Sequence, residues 1–151
     1  MKVTRDQISE FLAQRNLALV GVSRGGKKFG NAILKDLTSK GYRIYPVHPQ
    51  ADKIDGHTCW HSLSELPEPV GGIIMVVPPR ETEKVVREAV QAGIRRVWIQ
   101  QGAESPEAIR YCEEQGISVV HGECIMMFAE PTAFFHGAHR WFRGLFGKLP
   151  K

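Results

Sequence analysis

Five short apolar runs recur along this chain, separated by stretches of helical periodicity or glycine- and proline-rich turns. That alternation restricts the fold more than any single motif. The runs fall at 17–22, 42–47, 72–77, 96–100 and 117–121. The third, Gly72 to Val77, is apolar throughout, as expected of a strand covered on both faces. Between the runs, Phe29 to Ser39 reads as a helix stopped by Gly41, and Glu81 to Ala92 as a helix ended by Gly93. Glu83 and Arg87 stand in the favourable i, i+4 orientation there. Ser105-Pro106-Glu107 is a helix start, with Ser as N-cap and Pro at the first helical position, and Gly116 ends it. Upstream, Thr4-Arg5-Asp6-Gln7 resembles a capping box, and Ile8, Phe11 and Leu12 follow at helical spacing. Residues 50–70 are mixed, with an extended piece around Thr58-Cys59-Trp60 and a helical turn through Ser62 to Leu66. Strands alternating with helices over short connections predict an α/β, Rossmann-like three-layer fold around a five-stranded parallel sheet.

At 151 residues the chain suits one domain with a good core, and residues 1–130 are assigned to it. Apolar residues at 42% and charged residues at 24% match ordinary soluble proteins. A net charge of +4 suits an anionic small ligand and is too mild to argue for nucleic acid. Met1 to Arg15 has no apolar core of signal-peptide length, and no run is long enough to cross a membrane. Three cysteines, Cys59, Cys112 and Cys124, cannot all pair within one chain. A cytoplasmic protein with free thiols is expected.

In such a fold, ligands bind beyond the carboxyl ends of the strands. The five loops there begin at Ser23, His48, Pro78, Gln100 and Gly122. The first leaves an apolar strand and runs Gly21-Val22-Ser23-Arg24-Gly25-Gly26-Lys27-Lys28-Phe29-Gly30 into a helix. Free N–H groups at a helix start, its dipole and nearby cations favour a phosphate. The ordinary dinucleotide fingerprint is Gly-x-Gly-x-x-Gly, but Ser23 stands at its middle glycine. An NAD site also places Asp or Glu at the end of the second strand, where this chain has Val47-His48-Pro49-Gln50. Gly21 and Gly30 serve either the ligand or close packing.

Taken together, these residues resemble the CoA-binding domain family, which is similar to the N-terminal domain of the succinyl-CoA synthetase α-subunit. The matching pieces are Val20-Gly21-Val22-Ser23 with Lys28-Phe29-Gly30, Tyr45-Pro46-Val47-His48-Pro49 and Val76-Val77-Pro78-Pro79. Val97-Trp98-Ile99-Gln100-Gln101-Gly102 and Gly122-Glu123-Cys124-Ile125-Met126 complete the ordered set, which spans roughly residues 14–127. The resemblance implies that Gly21, Val22, Ser23, Arg24 and Lys28 hold CoA phosphates. It also implies that Val47, His48, Pro49, Val77 and Pro78 border the adenosine. Ile99, Gln100 and Gln101 then follow the pantetheine arm toward Cys124. Gln50 stands where relatives often carry Lys, which leaves Lys53 or Arg80 for the 3′-phosphate.

The alternating His57, Cys59 and His61 would share a face of an extended chain, but zinc needs a fourth ligand that the local sequence lacks, and no metal is expected. Residues 131–151 contain no acidic residue and interleave Arg140, Arg143, Lys148 and Lys151 with aromatics. That tail is read as a cover for the domain, or as a homodimer or protein-partner surface. No Ser-His-Asp or paired-carboxylate arrangement is evident. The sequence therefore predicts a stand-alone CoA or acyl-CoA binding protein without catalysis of its own. The alternatives are an NAD(P)-binding enzyme or redox sensor, and a ligand-regulated interaction module.

Overall fold

A computed structural model describes residues 3–129, so the tail expected at 131–151 lies outside the described residues. The chain opens with helix α1 (Arg5–Ala13), fixed by the capping box expected from its sequence. The Thr4 Oγ1 accepts from the Gln7 N–H at 3.2 Å, and the Thr4 N–H donates to Gln7 Oε1 at 2.9 Å. Strand β1 (Asn16–Val20), helix α2 (Phe29–Ser39) and strand β2 (Arg43–Val47) follow. A small antiparallel hairpin, β3 (Lys53–Ile54) and β4 (His57–Thr58), then intervenes. After it come β5 (Gly72–Met75), α3 (Pro79–Gln91), β6 (Arg96–Gln100), α4 (Pro106–Glu114) and β7 (Ser118–Glu123).

The five longer strands form one parallel sheet in the order β2-β1-β5-β6-β7. The alternation of side chains sorts each strand between two cores. Leu17, Leu19, Ile74, Trp98 and Val120 face Ile8 and Phe11 of α1 and Ile33, Leu34 and Leu37 of α2. Ala18, Ile73, Met75, Val97, Ile99 and Val119 face Val85, Val86 and Ala89 of α3 and Ala108 and Cys112 of α4. Full burial of each large aliphatic side chain is worth about 1.5–3 kcal/mol. Phe11 meets the Trp98 ring edge-on at 5.4 Å, which locks α1 over β6. The three-layer α/β expectation holds.

Several boundaries differ from the sequence expectation, for local reasons. β1 ends at Val20 rather than residue 22, because Gly21 turns the backbone to φ +120°. β5 stops at Met75 rather than Val77, where the chain turns into Pro78 and Pro79. α3 begins at Pro79 instead of Glu81, since proline is pre-shaped for a first helical position. β7 runs on to Glu123 past a register shift between Ile99 and Gln100 of its neighbour. The extended piece at 58–60 is the end of a hairpin whose turn, Asp55-Gly56, has both residues at positive φ.

Toward the amino end of the sheet Glu68 gathers three side chains from two strands, β1 and β2. Its Oε1 accepts from Asn16 Nδ2 at 3.1 Å, from Arg43 Nη1 at 3.4 Å and from the Tyr45 hydroxyl. Among the described residues no helix is long and apolar enough to cross a membrane.

Candidate ligand-binding site

In this strand order the winding of the sheet reverses between β1 and β5, and sheets of this kind hold ligands beside the loops that leave those two strands. The first of them is built by close backbone approach. A Cβ at Gly21 would sit 2.3 Å from the Val76 carbonyl oxygen, and one at Gly30 would sit 2.3 Å from the Gly21 carbonyl oxygen. Both glycines thus have the packing role, which lets α2 begin directly against the turn. Ser23 shapes that turn: its Oγ accepts from the Gly25 N–H at 3.1 Å and its carbonyl from the Gly26 N–H at 3.1 Å. Val22 is buried beneath the turn, so only its main chain is available to a ligand.

Asn31 holds the loop in place, and sequence reasoning missed it. This side chain is 4% exposed. Its Oδ1 accepts from the Ser23 N–H at 2.8 Å, while Nδ2 donates to the Ser23 carbonyl at 3.0 Å and to Asp55 Oδ2 at 2.9 Å. One amide therefore ties the first loop to the hairpin turn. The available signal was a polar residue on the apolar stripe of α2. Lys28 is the N-cap of α2 and supplies no side-chain acceptor, so first-turn N–H groups remain for an anion.

The second loop packs against the first. Val47 bridges to Trp60, and the His48 N–H donates to the Trp60 carbonyl at 2.9 Å. The His48 Nδ1 accepts from the Gln50 N–H at 3.0 Å, so the proton of its neutral ring is on Nε2. Burial lowers the His48 pKa from its ordinary value, and the charges of Arg24, Lys28 and His61 lower it further. Arg24 Nη2 donates to Gln50 Oε1 at 3.4 Å, linking the two loops. Lys53 falls on β3 and Arg80 on α3, both exposed. Pro49 is exposed beside His48.

Val77 and Pro78 are half-buried, and Pro78 is the N-cap of α3. Ile99 is fully buried in the core and Gln100 is 1% exposed, with its Oε1 accepting from the Ile125 N–H at 3.0 Å. Their side chains are thus turned away from any ligand, and Gln101 is the exposed member of the three. Cys124 is half-exposed just after β7 and caps a short 3-10 turn, Ile125–Met127. The other thiols are buried: Cys112 is pushed up to about 12 by burial and Glu113, and Cys59 is raised by burial and then by Asp52 and Asp55. His57, Cys59 and His61 do not converge. His61 Nε2 is 2.9 Å from Asp52 Oδ1 while Cys59 is in the core.

The family model described as a CoA binding domain matches residues 15–130. ADP-forming acetate–CoA ligase I of Archaeoglobus fulgidus is 29% identical over 121 residues, which are 74% of this chain and 18% of that protein. The chain therefore spans less than a fifth of that ligase's length. The uncharacterised protein YneT of Bacillus subtilis is 27% identical over 123 residues, covering 81% of this chain and 91% of that protein. A conserved hypothetical protein from Pyrococcus furiosus superposes with a TM-score of 0.70 at 48% identity, covering 74% of this chain and 97% of that one. With the fold, the glycine-packed first loop and a family match over most of its length, this chain belongs to the CoA binding domain family.

Proposed function

We propose that the chain binds CoA or an acyl-CoA along the carboxyl edge of its sheet, as a stand-alone binding protein without catalysis of its own. The observation that carries this is the α2 N-terminus, free of a side-chain cap, with Arg24 and Lys28 beside it and His48 across from it. A diphosphate placed there meets N–H groups, a guanidinium and an amine. Gly21, Val22 and Ser23 contribute the tight main chain of that cradle. Val47, His48 and Pro49 on one side, and Val77 and Pro78 on the other, border the adenosine. The pantetheine arm passes Gln101 and the main chain at Ile99 and Gln100, ending near Cys124. Lys53 and Arg80, both exposed, are the candidates for the 3′-phosphate. The stand-alone part is supported by the Bacillus and Pyrococcus furiosus proteins, which are nearly coextensive with the match, whereas the matched ligase extends far beyond it.

Calorimetric titration of the protein with CoA, 3′-dephospho-CoA and NADH tests the proposal. CoA is expected to bind tightest, because no carboxylate at the end of β2 awaits a ribose 2′-hydroxyl. NADH binding tighter than CoA would overturn it in favour of a dinucleotide site.

A further inference from the structure

A cavity of about 730 Å³ lies along α2, walled on one side by the β3–β4 hairpin. Its lining includes Lys27 and Lys28 from the first loop, Lys35, Thr38 and Ser39 from α2, and His57 from β4. Leu34 also lines it but is fully buried, so the floor offers no exposed apolar anchor of the kind protein hot spots use. Among the described residues no ion pair neutralises Lys27, Lys28 or Lys35. Asp55 also lines the cavity, and its Oδ2 is engaged by Asn31 Nδ2 at 2.9 Å. Three amines against one carboxylate leave a cationic hollow of small-ligand size. Lysine ammonium groups are point charges that suit phosphate oxygens without demanding planar geometry.

We infer that this hollow is a second anion site, for a phosphate ester or diphosphate other than CoA. Its cations at Lys27 and Lys28 belong also to the first loop. An anion in the hollow and a CoA diphosphate at the α2 N-terminus therefore draw on the same positive charge, and each weakens the other. This antagonism rests on the CoA proposal; the hollow itself does not. Linkage requires the effect to be reciprocal.

The test is pyrophosphate titration of the 15N-labelled full chain, followed by amide shifts, with calorimetry on variants. Saturable shifts at Lys35, Thr38 and His57, with a Kd on the order of 1 mM or tighter, are expected. The exposed Lys35→Gln should weaken pyrophosphate about tenfold. It should leave CoA within about twofold, since Lys35 stands outside the first loop. Asp55→Asn keeps an acceptor for Asn31 and tolerates the positive φ, so it should tighten pyrophosphate. Shifts confined to residues 21–30 and 48–50, or no saturable binding, would overturn the second site. Binding in the hollow by a protein that ignores CoA would retain the site and remove only the antagonism.

Discussion

Arg24 and Asn31 show how differently two polar residues serve one loop. Arg24 is exposed and reaches Gln50 at 3.4 Å, so its guanidinium is available to an arriving phosphate. Arg24→Ala is expected to weaken CoA by about 1.5–3 kcal/mol, nearer the lower figure because solvent screens an exposed cation. Calorimetry at low and high salt checks this, since the loss should shrink as salt rises. Equal affinity of variant and parent at low salt would make Arg24 a bystander. Asn31 is buried and its bonds are all internal. The turn at Ser23 was legible in the sequence because small residues beside glycines mark a tight turn. Asn31 was not, because its importance comes from Asp55, which a hairpin brings from 24 positions away. Likewise, nothing local reveals that the Gln100 side chain turns inward to cap the Ile125 N–H.

Among the elements, the strands and helices of the sheet layers were legible because hydrophobic period and glycine or proline punctuation agree. The hairpin was only half visible: two-residue strands carry too little pattern, although Asp55-Gly56 is a turn signal. The union of β1 and α2 has a clear energetic test. In an unconstrained helix Gly→Ala stabilises by about 1 kcal/mol. At Gly30 the new Cβ would lie 2.3 Å from a carbonyl oxygen of Gly21, which is backbone and cannot swing aside. Gly30→Ala should therefore lose about 1–2 kcal/mol net, once overpacking is set against propensity. Urea denaturation measures it, and a variant as stable as the parent would mean that the helix start shifts freely. The same displacement should reduce CoA affinity, since the helix N-terminus moves with it.

For the whole molecule, His48 makes stability respond to mild acid. Its folded pKa is lowered by burial first and by Arg24, Lys28 and His61 after that. Below about 6.5 the unfolded chain therefore binds a proton that the folded chain refuses. Stability should be full above that pH and fall as pH drops through the folded value. The Glu107 carboxyl, lowered by its own N–H and by Ser105, loses its contribution only in more acid solution, below the ordinary carboxylate range. Thermal melts of parent and His48→Gln from pH 8 to pH 5 cover the mild-acid window alone, and a variant with the parent's slope would assign that window elsewhere. A phosphate beside His48 has the opposite effect on the ring, so CoA binding should take up protons near pH 6.

The carboxylate of Glu68 has a reach that its position conceals. β2 is an edge strand, paired in the sheet with β1 alone, and edge strands are the first to fray. Yet β2 delivers His48. Glu68 fastens its amino end to β1 through Arg43, Tyr45 and Asn16, while Trp60 braces its carboxyl end. A strand detached for some fraction of the time offers no second loop for that fraction, and apparent affinity falls in proportion. On the proposed reading, affinity at the carboxyl edge depends in part on how seldom β2 peels open, and Glu68, at the opposite end of the sheet, contributes to that.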